Sequence, residues 1–183
     1  MPMTFSGGPL RFPLRVACAA AAAWLAAGAT PAPDTAAGLR NPTGIALDDT
    51  GALYVASAGD SSIVVFAPGA GGRTAPARTI AGPGARLIVP QGLALDSRGR
   101  IYTTNQRRRI EGKGSITVYP PGADGNAAPV RTIAGHRSGV AEPVGLALDL
   151  DGLLYVAHRS GAVAFAPGAD GDVAPVRSFP SMQ

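Results

Sequence analysis

One segment occurs three times along this chain. It reads PTGIALDDTGALYVA from Pro42, PQGLALDSRGRIYTT from Pro90 and PVGLALDLDGLLYVA from Pro143. Each version is followed by a second shared segment: FAPGAGGRTAPARTI from Phe66, YPPGADGNAAPVRTI from Tyr119 and FAPGADGDVAPVRSF from Phe165. Self-similarity at a period of about 50 residues defines a repeat architecture, in which one unit cannot bury its apolar surface alone and must stack on its neighbours.

Within one unit the pattern alternates short apolar runs with turn chemistry. Gly44–Leu47 is apolar on both faces, as expected of a strand buried on two sides. Asp48-Asp49-Thr50-Gly51 is a turn, because Asp can accept from its own downstream backbone and Gly tolerates positive φ. Leu53–Ala56 and Ile63–Phe66 suit a pleated surface, and Ala77–Ile80 makes a fourth, more polar strand after the break at Pro68-Gly69. Tight turns between successive strands predict an antiparallel meander. Only 15% of residues are charged while Gly (25) and Pro (17) are plentiful, which suits short strands and many turns. Helical periodicity is absent from the repeats.

Four antiparallel strands with an inner apolar strand and an outer polar one describe a propeller blade. From about Asn41 to Pro180 the units resemble NHL repeats, whose blades carry Pro-x-Gly-[Ile/Leu]-Ala-[Val/Leu]-Asp-x-x-Gly-x-[Ile/Leu]-Tyr-Val. The resemblance implies an all-β fold of three four-stranded blades, at about 41–83, 89–136 and 142–180, forming an incomplete ring within an NHL segment of 41–183. Propellers of this family usually have six blades, and closure is what hides blade faces and strand edges. Two explanations stand level: two copies pair as half-rings into a six-bladed disc, or the chain is a shortened relative of a longer propeller. A third is an open arc that binds a partner along its exposed end. Terminal blades should each leave an apolar face exposed, and the sequence shows no polar-faced capping repeat.

Length varies at one place only. The interval from the turn Asp to the Pro-Gly break is 20, 25 and 18 residues in the three units (Asp48–Pro68, Asp96–Pro121, Asp149–Pro167), whereas the next interval, to the following Pro-x-Gly, is 22 in both cases. The extra residues therefore fall between strands two and three, and in repeat two they form the stretch NQRRRIEGKGS. Insertions in repeat proteins gather on one face, often the binding face. In a meander that face also receives the connections entering strand one. The candidate ligand- or partner-binding residues are therefore Asn41, Gln91, Asn105, Gln106, Arg107, Arg108, Arg109, Lys113, Glu142, His158 and Arg159. The arginine run with Lys113 suits an anion such as a phosphate or acidic sugar.

Other residue groups have structural explanations. Asp48, Asp96 and Asp149 recur because the turn needs them. Asp124-Gly125-Asn126 and Asp170-Gly171-Asp172 read as hairpin turns, since they lack the spaced ligands of a calcium loop. Arg78, Arg131 and Arg177 are expected to pair with neighbouring carboxylates or to lie along the blade edge. His158 with Glu142 could act as a base or metal ligand in a lyase or hydrolase, the alternative reading. Six-bladed enzymes of the gluconolactonase type are similar in repeat layout, and that resemblance places their metal-holding Glu, Asn and Asp just before the strand-one glycines. This chain has Thr43, Gln91 and Val144 there, a poor set for a hard cation. No cofactor, catalytic residue or metal site is expected.

The first 29 residues have the layout of a secretory signal: Arg11 and Arg15, an apolar run from Val16 to Ala27, and the small-residue pattern Ala27-Gly28-Ala29. A linker at 30–40 follows. Removing the signal also removes Cys18 and lowers Lys+Arg from 16 to 14 against 12 Asp+Glu, leaving +2. That charge gives no reason to expect nucleic acid, and no membrane span remains after cleavage. The leading expectation is an exported, non-enzymatic propeller module that binds a ligand or protein partner; a structural envelope protein is a further alternative.

Overall fold

The computed structural model describes residues 38–106 and 114–181. The expected signal peptide, most of the expected linker, and Arg107, Arg108, Arg109 and Lys113 lie outside the described residues. Three separate sheets of four antiparallel strands make up the rest, each a meander whose strands follow in chain order. Blade 1 contains β1 (Pro42–Leu47), β2 (Leu53–Ser57), β3 (Ser62–Phe66) and β4 (Arg78–Ile80); blade 2 contains β5 (Pro90–Leu95), β6 (Ile101–Asn105), β7 (Ser115–Tyr119) and β8 (Arg131–Ile133); blade 3 contains β9 (Gly145–Leu148), β10 (Leu154–His158), β11 (Gly161–Phe165) and β12 (Arg177–Pro180). A 3₁₀ turn at Pro83–Ala85 lies in the first linker. The fold is therefore all-β, as the repeats imply.

Blades pack face against face with their first strands gathered at the inside: β1 lies against β5, and β5 against β9. The Pro-x-Gly glycine makes this approach possible. A Cβ on Gly44 would run into the Gln91 carbonyl, and one on Gly92 would sit 2.8 Å from the Val144 carbonyl oxygen. Two threonines reach across to the next blade's inner end: the Thr43 hydroxyl of β1 donates to the Pro90 carbonyl (2.7 Å), and the Thr104 hydroxyl of β6 to the Val144 carbonyl (3.2 Å). Between blades 1 and 2 the core holds Tyr54, Ile63, Val65 and Ile80 against Leu93, Ile101 and Tyr119. Between blades 2 and 3 it holds Tyr102, Ile116, Val118 and Ile133 against Leu154, Val156 and Phe165. This is the arrangement of consecutive propeller blades in a ring that is not closed.

The expectation that strand one is buried on both sides holds least in blade 1. There Ile45 and Leu47 are 69% and 65% exposed, because no described blade precedes them; Leu93, equivalent to Ile45, is 7% exposed. At the other end, Phe179 is 49% exposed where Ile80 and Ile133 are buried.

The turn aspartates behave as expected. Asp48 Oδ1 accepts from the N–H groups of Thr50 and Ala52, Asp96 Oδ1 from those of Arg98 and Arg100, and Asp149 Oδ1 from those of Asp151 and Leu153. The Thr50 hydroxyl and the Ala52 N–H hold the Asp48 carboxyl below its usual value. Burial pushes Asp96 up, but donors from Arg100 and Arg98 outweigh it and leave it lowered. The strand-four arginines lie along the blade edge, each against a tyrosine hydroxyl. Arg78, Arg131 and Arg177 donate to the hydroxyls of Tyr54, Tyr102 and Tyr155 in their own blades, and Arg78 also reaches the Ala123 carbonyl of the next blade.

Candidate functional site

At one end of the blades, β2 turns into β3 and the linkers enter the inner strands; Pro42 pairs with Ser57 and Pro90 with Asn105 across that end. All length variation between blades falls here, as connections of residues 58–61, 106–114 and 159–160. The residue before each Pro-x-Gly has positive φ in every blade: 53° at Asn41, 47° at Val89 and 48° at Glu142. For β-branched Val89 this is a strained conformation, maintained because the chain must turn sharply from linker into inner strand.

The sequence-derived candidates divide by their surroundings. Asn105 is fully buried, its Oδ1 accepting from the Ile88 N–H (3.0 Å) and its Nδ2 donating to the Thr117 hydroxyl (3.0 Å). It fastens the linker over blade 2 and does not face solvent. Its blade 1 equivalent, Ser57, is also buried, accepting from the Arg40 N–H and donating to the Arg40 carbonyl. Arg40, read from sequence as linker, is thus already tied into blade 1.

Gln91 donates to the Val89 carbonyl and Gln106 donates to it through its backbone N–H, so both are partly engaged in shaping the blade 2 entry. Asn41 is exposed. In blade 3, Glu142 accepts from Arg159 (3.1 Å) in a solvent-exposed pair, while the half-buried His158 accepts the Ser160 N–H at Nδ1. The carboxylate is therefore matched to arginine, and the imidazole has a backbone partner of its own. An exposed pair of this kind contributes little to stability.

Beside this end a cleft of about 620 Å³ opens between the first linker and the outer strands of blade 2. Arg86, Leu87 and Ile88 line one side, with Gly114, Ser115 and Gly135 among the residues on the other. Gly114 directly follows Lys113, so the cleft lies where the basic connection rejoins the blade. A second cleft, about 580 Å³, lies at the opposite end between blades 2 and 3, lined by Asp96, Arg98, Arg100, Asp149 and Asp151. In the sequence those turns have a structural explanation alone; the signal for the cleft is the charged residues at their variable positions. Among the described residues, no group of three or more His, Cys, Asp or Glu side chains could hold a metal ion. No helix among them is long and apolar enough to cross a membrane.

No protein-family model matches the chain, and no curated protein matches it. Among solved structures it is similar to a protein of unknown function from Bacteroides caccae, at 10% identity and a TM-score of 0.49 over 76% of this chain and 45% of the other. It is also similar to a streptogramin B lyase, at 14% identity and a TM-score of 0.47 over 82% of this chain and 42% of the lyase. The chain thus spans less than half the length of either structure.

Proposed function

We propose that the chain is an exported NHL-type propeller module that binds an acidic ligand, or a partner bearing acidic groups, through the end carrying the β2–β3 connections, and that it catalyses no reaction there. One observation carries this reading: the longest of the three variable connections is the basic one, and it rejoins the fold at the edge of a cleft whose other side includes Arg86. Arginine guanidinium groups suit carboxylates and phosphates through paired donors. Export is supported by Arg11, Arg15 and the apolar run that follows them. The lyase or hydrolase reading is less supported, because Glu142 and His158 each hold a different partner.

Titration of the full chain with inorganic phosphate and with glucuronate is the test. We expect saturable binding of at least one anion, weakened about tenfold or more when Arg107, Arg108 and Arg109 are replaced by Ala, since a charge-assisted hydrogen bond is worth about 1.5–3 kcal/mol. Unchanged affinity in that variant, or no saturable binding, contradicts the proposal. Stoichiometric metal in the purified protein, with an activity lost in His158→Ala, would favour the enzymatic alternative instead.

A further inference from the structure

The β3–β4 loops of blades 2 and 3 do more than turn the chain. Each grips the outer strand of the blade before it. In blade 2, Asp124 Oδ1 accepts from the Thr79 N–H (2.9 Å), the Gly125 N–H donates to the Thr79 carbonyl (2.9 Å), and the Gly125 carbonyl accepts from the Ala81 N–H (2.9 Å). Asn126 Oδ1 then accepts from the Gly84 N–H in the linker (2.6 Å). Blade 3 repeats the set on blade 2: Asp170 to Thr132 (2.8 Å), Gly171 to Thr132 and Ala134, and Asp172 to the linker N–H groups of Arg137 and Ser138. Behind these groups Ala127 and Val173 pack into the two inter-blade cores. The Thr79 and Gly125 N–H groups, the first the larger cause, hold the Asp124 carboxyl below its usual value.

Blade 1 has the same loop with different residues. Gly71 stands where blades 2 and 3 have Asp, Arg73 where they have Asn126 and Asp172, and Thr74 where they have Ala127 and Val173. The loop closes on itself instead: the Thr74 hydroxyl accepts from the Gly71 N–H and donates to the Gly71 carbonyl. At the far end, Pro180 stands where Ala81 and Ala134 donate, so that donor is missing from the outer edge of β12. Ala162 and Ala164 likewise replace the Ile63/Val65 and Ile116/Val118 that fill the internal cores. The joint that would link blade 3 to blade 1 therefore lacks the side-chain acceptors on blade 1 and one N–H donor on β12, while Ser178 keeps the position of Thr79 and Thr132. The inner-strand features persist: Gly145 remains, with nothing within 4 Å of an added Cβ, and Ile45 and Leu47 remain apolar.

We propose that this rim clasp specifies which blade can follow which, and that the two ends of the arc lack it, so that a second copy of the chain does not add end to end. Pairing of two arcs into a disc would have to proceed without acceptors equivalent to Asp124 and Asn126 and without the N–H donor that Pro180 lacks.

Restoring the clasp within the full chain is the experiment. In Gly71→Asp/Arg73→Asn/Pro180→Ala, blade 1 regains its acceptors and β12 its donor; a Cβ at Gly71 would meet nothing within 4 Å, so the loop accommodates the change. The probe is this variant itself, with mass in solution read by light scattering at increasing concentration. The wild-type chain should remain monomeric while the variant associates, and adding Gly145→Ala should abolish that association without lowering the melting temperature, because the methyl group obstructs only an incoming inner strand. A wild-type chain that already associates through Ile45 and Leu47, losing the association in Ile45→Glu, would overturn the proposal. So would a folded clasp-restored variant that stays monomeric over the same concentrations.

Discussion

A methyl group added to the Pro-x-Gly glycine has a different environment in each blade. At Gly44 it would collide with the Gln91 carbonyl and at Gly92 with the backbone of Val144 and Gly145, whereas at Gly145 it would meet nothing within 4 Å. The collisions are with backbone, which cannot swing aside as a flexible side chain can. Gly44→Ala and Gly92→Ala should therefore each destabilise the chain by about 1–3 kcal/mol, the usual cost of overpacking. Gly145→Ala should change stability by well under that. Chemical denaturation of the three variants checks the ordering; equal losses at all three would mean that the inner strands are not in close contact. The glycine was visible in the sequence as part of the repeated motif, but its reason was not. Its φ is unexceptional, and the atom that excludes a side chain belongs to the next blade.

At the scale of strands and loops, local pattern was a good guide to local structure and a poor guide to longer reach. The strands at 42–47, 53–57, 62–66 and 78–80 lie where alternating apolar runs and Asp/Gly turns put them, since both signals act within a few residues. The repeat pattern puts Asn105 at the variable end, yet it is buried, because being the last residue of β6 says nothing about the linker that folds over it. Its amide now explains part of that linker's position. Asn105→Ala would leave the buried Thr117 hydroxyl and the Ile88 N–H without this partner, at a cost of about 1–3 kcal/mol. A melting temperature equal to that of the wild type would contradict the role. The sequence likewise marks Asp-Gly-Asn and Asp-Gly-Asp as turns and nothing more. Their partners lie in the preceding blade, 45 residues away for Asp124 and 38 for Asp170. The contrast with Gly71 and Arg73 was nevertheless already in the sequence, and acquires meaning only once the blades are seen to touch.

Across the whole molecule, three similar blades occupy unequal positions: one is preceded by no described blade, one has neighbours on both sides, and one is followed by none. Nearly identical segments thus face different surroundings, which supplies an internal control. Outward N–H groups on the fourth strands report it most directly, because they play no part in their own sheet's ladder. Thr79 and Thr132 donate theirs to Asp124 and Asp170 of the following blades, while Ser178 holds the equivalent place on β12 with no described blade beyond it. Amide hydrogen exchange resolved to single residues should show Thr79 and Thr132 exchanging markedly more slowly than Ser178. If all three exchanged at similar rates, the blades would not be clasped to one another as described, and the account would fail.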